Sequence, residues 1–159
     1  MAKAVIFDKD GVIVETRKLH FEKWKKTFEK YNKSFNEKIL NELMGRIPLA
    51  LATSSRLESM NLVLDKFKLR SYFKVLVNAY DVKSAKPDPE IYLSTAKKLK
   101  VKPNDCAVFE DSYSGVEAAK RAGMKIILVM TSLTQKEIPN ANLAIKDFIK
   151  INVADVKMI

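Results

Sequence analysis

The chain has 159 residues, 47% of them hydrophobic, which suits one domain able to bury roughly 70% of the surface its unfolded chain exposes and leaves no room for a second large one. The formal net charge of +10 comes from 29 Lys and Arg against 19 Asp and Glu. The lysines are scattered over helix faces without interleaved aromatics, which argues for a solvated basic surface rather than a nucleic-acid groove. Cys106 is the single cysteine, so no intrachain disulfide forms, and no run approaches the roughly 18 apolar residues of a membrane span; a soluble cytoplasmic protein without membrane or nucleic-acid partners is expected.

In chain order, residues 4–8 read as a buried strand. Residues 19–31 place Phe21, Trp24, Phe28 and Tyr31 at spacings of three and four, an amphipathic helix, and residues 36–44 give a second, short helix stopped by Gly45. Further short apolar runs at 47–52, 73–77, 106–109 and 125–130 read as strands. Between them, residues 57–67, 89–99 and 113–122 carry apolar positions at helical spacing, the last stopped by Gly123. A short strand at 141–145 and a small helix from about residue 153 finish the chain. Strand and helix alternate, which predicts an α/β fold with a parallel sheet. A crossover between the first two strands needs a helix packed on the sheet, and 36–44 is the expected candidate, leaving 19–31 free to arch over a site.

Four stretches carry the chemistry, and in a parallel sheet they converge at the carboxyl ends of the strands, where open α/β sheets bind ligands. Asp8 and Asp10 stand two apart at a strand end, before Gly11 lets the backbone turn away. Asp8 is placed to attack phosphorus, and Asp10 to give a proton to the leaving oxygen and later take one from water. Asp111 is the expected carboxylate ligand of Mg²⁺ beside Asp8, with Asp10 offering its backbone carbonyl, since this hard cation takes one or two carboxylates plus a phosphate. Glu110 is either an outer, water-mediated ligand or a surface glutamate at a strand end. Thr53 ends its strand with a hydroxyl for phosphate, and the Ser54 amide can point at the same oxygen; Ser54 and Ser55 serve equally well as helix caps. Lys86, fixed between turn-forming residues by Pro87 and Pro89, is the expected cation for the transferring phosphoryl group. His20, the only histidine, is either an ordinary helix-face residue or a group near the substrate that assists proton transfer to Asp10.

These motifs, together with the string from Asp10 to Thr16 and the segment Leu19, His20, Phe21, Glu22, Lys23, Trp24, resemble the haloacid dehalogenase superfamily, in particular its β-phosphoglucomutase-like and phosphoglycolate-phosphatase-like branch. The similarity runs from Ala4 to about Val129. It implies a three-layer Rossmann-like core spanning residues 1–159, an aspartyl-phosphate intermediate on Asp8, and acid/base work by Asp10. It implies also Mg²⁺ on Asp8, the Asp10 carbonyl and Asp111, and phosphate on Thr53 and Lys86. Glu15 stands where the branch usually has aspartate. A reduced helical cap is expected at about residues 16–45, some 40 to 50 residues shorter than in the family, because the cap-like run from Glu42 to Gly45 leads almost directly into the strand at 47–52. The expected activity is Mg²⁺-dependent hydrolysis of a small phosphate monoester of sugar phosphate or phosphoglycolate type, by a monomer or homo-oligomer. A phosphomutase and a catalytically impaired binding remnant are the alternatives.

Overall fold

Each residue of β1 (Ala4–Phe7) is buried, as a strand covered on both faces requires, and this run lies in the middle of the sheet. The computed structural model describes residues 1–14 and 37–159. Among them, β1 is joined by β2 (Leu49–Ala52), β3 (Val75–Val77), β4 (Cys106–Glu110), β5 (Lys125–Val129) and β6 (Leu143–Ile145). All pair in parallel, in the order β3-β2-β1-β4-β5-β6.

Alternation along the strands divides the core in two. Val5 and Phe7, Leu49 and Leu51, Ala107 and Phe109, and Ile127 and Val129 face one side, where α1 (Glu37–Leu43), α2 (Leu57–Lys66) and α5 (Val153–Met158) add Ile39, Leu40, Leu43, Met60, Val63, Leu64 and Val156. Ala4 and Ile6, Ala50 and Ala52, Cys106 and Val108, and Ile126 and Leu128 face the other. There α3 (Glu90–Leu99) and α4 (Tyr113–Arg121) bring Ile91, Tyr92, Ala96, Val116 and Ala119. The result is the expected three-layer, Rossmann-like α/β arrangement. The helix expected at residues 36–44 is observed as α1 and packs on the sheet through Ile39, Leu40 and Leu43. The helix expected at 19–31, with Phe21, Trp24, Phe28, Tyr31 and His20, and most of the expected cap lie outside the described residues.

The chain runs outward from β1 through β2 to β3, then returns to the other side of β1 as β4 and continues outward to β6. Between β1 and β4 the connections therefore leave in opposite directions, which opens a crevice at the carboxyl ends of these two strands. Phe7 and Phe109 are register partners there, with rings stacked at 4.7 Å and 1° between planes, and Phe73 meets Phe7 edge-on at 6.1 Å. The next residue after Phe7 is Asp8, and the next two after Phe109 are Glu110 and Asp111. The stacked pair thus fixes the register of the strands that present three carboxylates.

Candidate active site

The loop after β1 is tight. Asp8 continues the ladder by donating its N–H to the Phe109 carbonyl at 3.0 Å, and the chain then folds back so that the Ile13 and Val14 amides donate to the Lys9 carbonyl at 2.9 and 3.0 Å. Gly11 sits at φ +78°, where a side chain is disfavoured, and a Cβ on it would overlap the Asp111 carboxylate. Glycine is needed on both counts. Lys9 is fully buried between the two aspartates, its ammonium donating to Ser59 Oγ at 2.8 Å and pairing with Asp10 Oδ1 at 3.1 Å. The other Asp10 oxygen accepts the Ser55 hydroxyl at 2.6 Å, so Asp10 is gripped from β1's own loop and from the entry to α2.

Lys86 lies between two carboxylates, 2.6 Å from Asp8 Oδ1 and 2.6 Å from Glu110 Oε1, in a place where the three side chains are 5%, 9% and 0% exposed. Its loop is held in place because the Lys83 and Ser84 amides donate to Glu90 at the start of α3, at 2.9 and 2.8 Å. Glu110 is fully engaged. Oε1 also accepts the Tyr92 hydroxyl at 2.7 Å, and Oε2 accepts the Asp111 and Ser112 amides and the Ser112 hydroxyl at 2.9, 3.1 and 3.0 Å. Ser112 at the same time caps α4, accepting the Gly115 N–H at 3.1 Å. Gly115 is small for a reason: a Cβ there would run into the Glu110 carboxylate.

Protonation follows from these contacts. Burial pushes the Asp8 carboxyl up to about 8, against the pull of Lys86, with the nearby Glu110 charge adding to the rise. Burial acts on Glu110 in the same sense, but Lys86, the Tyr92 hydroxyl and the Ser112 amide outweigh it and hold this carboxyl below its usual value. For Lys86, burial favours the neutral amine, yet Asp8 and Glu110 together keep it charged well above the ordinary lysine range. One cation thus serves two carboxylates: Glu110 is held in its charged form, while burial raises the Asp8 carboxyl.

Asp111, 3% exposed, turns Oδ2 towards the loop after β5, where the Thr131 hydroxyl approaches at 3.3 Å and the Ser132 hydroxyl donates to it. Thr131 also donates to the Gly11 carbonyl at 2.7 Å, tying this loop to the one after β1. Carboxylate oxygens of Asp8, Glu110 and Asp111 lie within 4.8 Å of one another, all buried. A dication fits this donor set, which offers three converging, buried carboxylates and so is hard and oxygen-only. Glu110, with both oxygens engaged by several donors each, suits an outer place better than a direct bond.

Of the residues expected from sequence, Asp8, Gly11, Lys86, Glu110 and Asp111 are brought together, and Asp10 lies beside them on the Ser55 and Lys9 contacts. Thr53, directly after β2, is fully buried, its Oγ1 accepting the Ser55 N–H at 3.0 Å, and Ser54 next to it is exposed. His20 lies outside the described residues. Sequence reading gave Ser55 as a helix cap and assigned no role to Lys9, Tyr92, Ser112 or Thr131; the residue before α2 is instead Arg56, without a side-chain cap, and Ser55 turns its hydroxyl to Asp10. A signal was present for Ser112 alone, as a helix-capping serine directly after two acidic residues.

Residues 36–129 match the family model described as haloacid dehalogenase-like hydrolase. The chain is 33% identical to the phosphorylated carbohydrates phosphatase of Thermotoga maritima, over 79% of this chain and 83% of that protein. That alignment runs over 180 positions, whereas 79% of 159 residues is about 126, so about 54 positions have no residue in this chain. Fructose-1-phosphate phosphatase of Escherichia coli is 40% identical over 52% of this chain, and the match spans 44% of that protein's own length. In three dimensions the fold superposes on the crystal structure of a putative β-phosphoglucomutase from Thermotoga maritima, with a TM-score of 0.75 and 32% identity over 91% of this chain and 94% of that one. Sequence motifs, strand order and buried acidic centre agree with these likenesses: the chain belongs to the haloacid dehalogenase-like hydrolases and is an enzyme of that superfamily.

Proposed function

We propose that this chain hydrolyses a small phosphate monoester, of the sugar phosphate or phosphoglycolate type, through an aspartyl-phosphate intermediate. The observation that carries the reading is the buried Asp8–Lys86 pair at the β1/β4 crevice, with Asp111 beside it. An Asp8 oxygen attacks phosphorus, the ester P–O bond breaks, and the departing alkoxide takes a proton from Asp10. Asp10 then takes a proton from water as that water attacks the acyl phosphate, releasing inorganic phosphate and restoring Asp8. Lys86 neutralises charge on the phosphoryl oxygens, assisted by the Thr53 hydroxyl and the amides around Gly11 and Ser54. Asp8, the Asp10 carbonyl and Asp111 would hold Mg²⁺, with Glu110 behind them; the ion supplies the positive charge that lets two carboxylates and a phosphate share one site.

Support for the substrate class comes from the two phosphatases of phosphorylated sugars to which the chain is similar. A recess of about 130 Å³ beside Lys86, lined by Ser54, Val82, Lys83, Ser84 and Ile91, is of a size for a small group. We place the roughly 54 absent positions in the cap between the first two strands, which leaves residues 16–45 as a reduced cap on a single catalytic domain. A phosphomutase needs a lid that excludes water while the phosphoryl group is carried back, and a reduced cap disfavours it. Among the described residues no helix is long and apolar enough to cross a membrane, in keeping with a cytoplasmic enzyme acting on dissolved esters. The test is phosphate release from a panel of hexose, triose, glycolate and aryl phosphates with and without Mg²⁺. Turnover that requires the metal is expected, and a chain that binds esters without releasing phosphate would overturn the reading.

A further inference from the structure

Glu110 poses a question that the reaction itself does not answer. A buried carboxylate 2.6 Å from Lys86 competes with Asp8 and with any phosphoryl oxygen for the same ammonium. Whenever Lys86 leans towards a phosphate, Glu110 Oε1 loses part of its cation in a fully buried place, and an unsatisfied buried carboxylate oxygen is costly. Among the described residues, one other side chain reaches that oxygen. Tyr92, fully buried, donates its hydroxyl to Oε1 at 2.7 Å, and its ring lies under the Lys86 ammonium with Nζ 4.8 Å from the centroid. It stands six residues after Lys86, on the first turn of α3, so the segment that presents the cation also presents the group that steadies it.

We propose that Tyr92 is a positioning residue for Lys86. Its hydroxyl keeps Glu110 Oε1 satisfied while the ammonium is shared with the phosphoryl group, and its ring bounds the space in which the ammonium moves. Tyr92 does not touch the substrate; it acts through Glu110 and Lys86. The proposal rests on the phosphatase reading above for the ligand that Lys86 meets.

Tyr92→Phe keeps the ring and removes the hydroxyl, so Lys86 is drawn to Glu110 and away from phosphate. The experiment measures kcat/KM with a phosphate monoester and, by calorimetry with Mg²⁺ present, the affinity for inorganic phosphate, in the native chain, Tyr92→Phe, Lys86→Met and the double variant. Loss of a hydrogen bond to a charged group predicts a fall of about ten- to hundredfold in kcat/KM for Tyr92→Phe, with weaker phosphate binding and a native far-UV spectrum. In the Lys86→Met background the same change should move phosphate affinity by less than about twofold, because the residue through which it acts is gone. Equal losses in both backgrounds, or a Tyr92→Phe chain within about twofold of native in both readouts, would overturn the proposal. A Tyr92→Phe chain that does not fold would do so too, since the hydroxyl would then be a folding group. Phosphate bound by the native chain but unaffected by Tyr92→Phe removes the Tyr92 assignment and leaves the phosphate reading standing; no phosphate binding by the native chain removes both.

Discussion

At Asp8, burial and Lys86 pull in opposite directions and burial wins, with the carboxyl raised from an ordinary 3.8 to about 8. Between those two values the folded chain holds a proton that the unfolded chain has released, so this group lowers stability as pH rises through the window, and the loss is complete above about 8. Replacing it by Asn removes the effect. In chelator, the melting temperature of Asp8→Asn should therefore gain on that of the native chain, by several degrees, between about pH 5 and pH 8.5. Differential scanning calorimetry checks this, and a difference that does not change with pH would contradict it. The same proton must leave when a dication binds Asp8, so Mg²⁺ should bind more tightly as pH rises towards about 8 and release protons on binding, measurable by titration in buffers of different ionisation enthalpy. For Asp10, gripped by Ser55 and Lys9, substitution by Asn should lower turnover by about 10²–10⁴-fold with the fold intact. Asp8 or Asp10 alone reads as a turn or capping aspartate; the pair stands out in the sequence because it recurs with an acidic pair, a hydroxyl stretch and a lysine after other apolar strands. Tyr92 and Lys9 do not: an apolar-looking tyrosine on a helix and a lysine among many become informative only when the order of strands shows what they face.

The helices that flank the crevice are shaped by the carboxylates they cover. α4 begins with Ser112 and has Gly115 in its first turn, an unfavourable residue for a helix, because Glu110 occupies the volume a side chain would fill. Gly→Ala in an exposed helix ordinarily gains about 1 kcal/mol. Here the gain should be reversed. Gly115→Ala should cost about 1–3 kcal/mol through overpacking against Glu110, as read from the midpoint of urea unfolding, and it should reduce activity by displacing the Lys86 partner. An increase in stability would show that the Glu110 carboxylate lies elsewhere. The strands were legible as short apolar runs since both faces of a parallel sheet are covered, and the 36–44 helix announced its packing face through Ile39, Leu40 and Leu43. The carboxylate beneath Gly115 was not, because a glycine in a helical pattern reads equally well as an accident of composition.

For the molecule as a whole, the strand order places β1 beside β4, which brings Asp8 to Glu110 and Asp111 from about a hundred residues away, and the loop ahead of α3 adds Lys86. Alternation of strand and helix predicted the parallel sheet, and the motifs predicted the convergence. On the proposed reduced cap, less binding energy from remote parts of the substrate can be turned into orientation, so small esters should be accepted with little discrimination. Steady-state kinetics on hexose, triose and aryl phosphates, beside a measurement of mass in solution, check this. A monomer preferring one sugar phosphate by more than about a thousandfold, about 4 kcal/mol of differential transition-state binding, would contradict it. The central claim is that phosphorus is transferred to Asp8 itself. Acid quenching during turnover, followed by mass spectrometry of the peptide that contains residues 4–14, tests it most directly. The account predicts a hydroxylamine-sensitive phosphoryl adduct on Asp8 that is lost in Asp8→Asn together with phosphate release; undiminished release by Asp8→Asn, or an adduct on another residue, would contradict it.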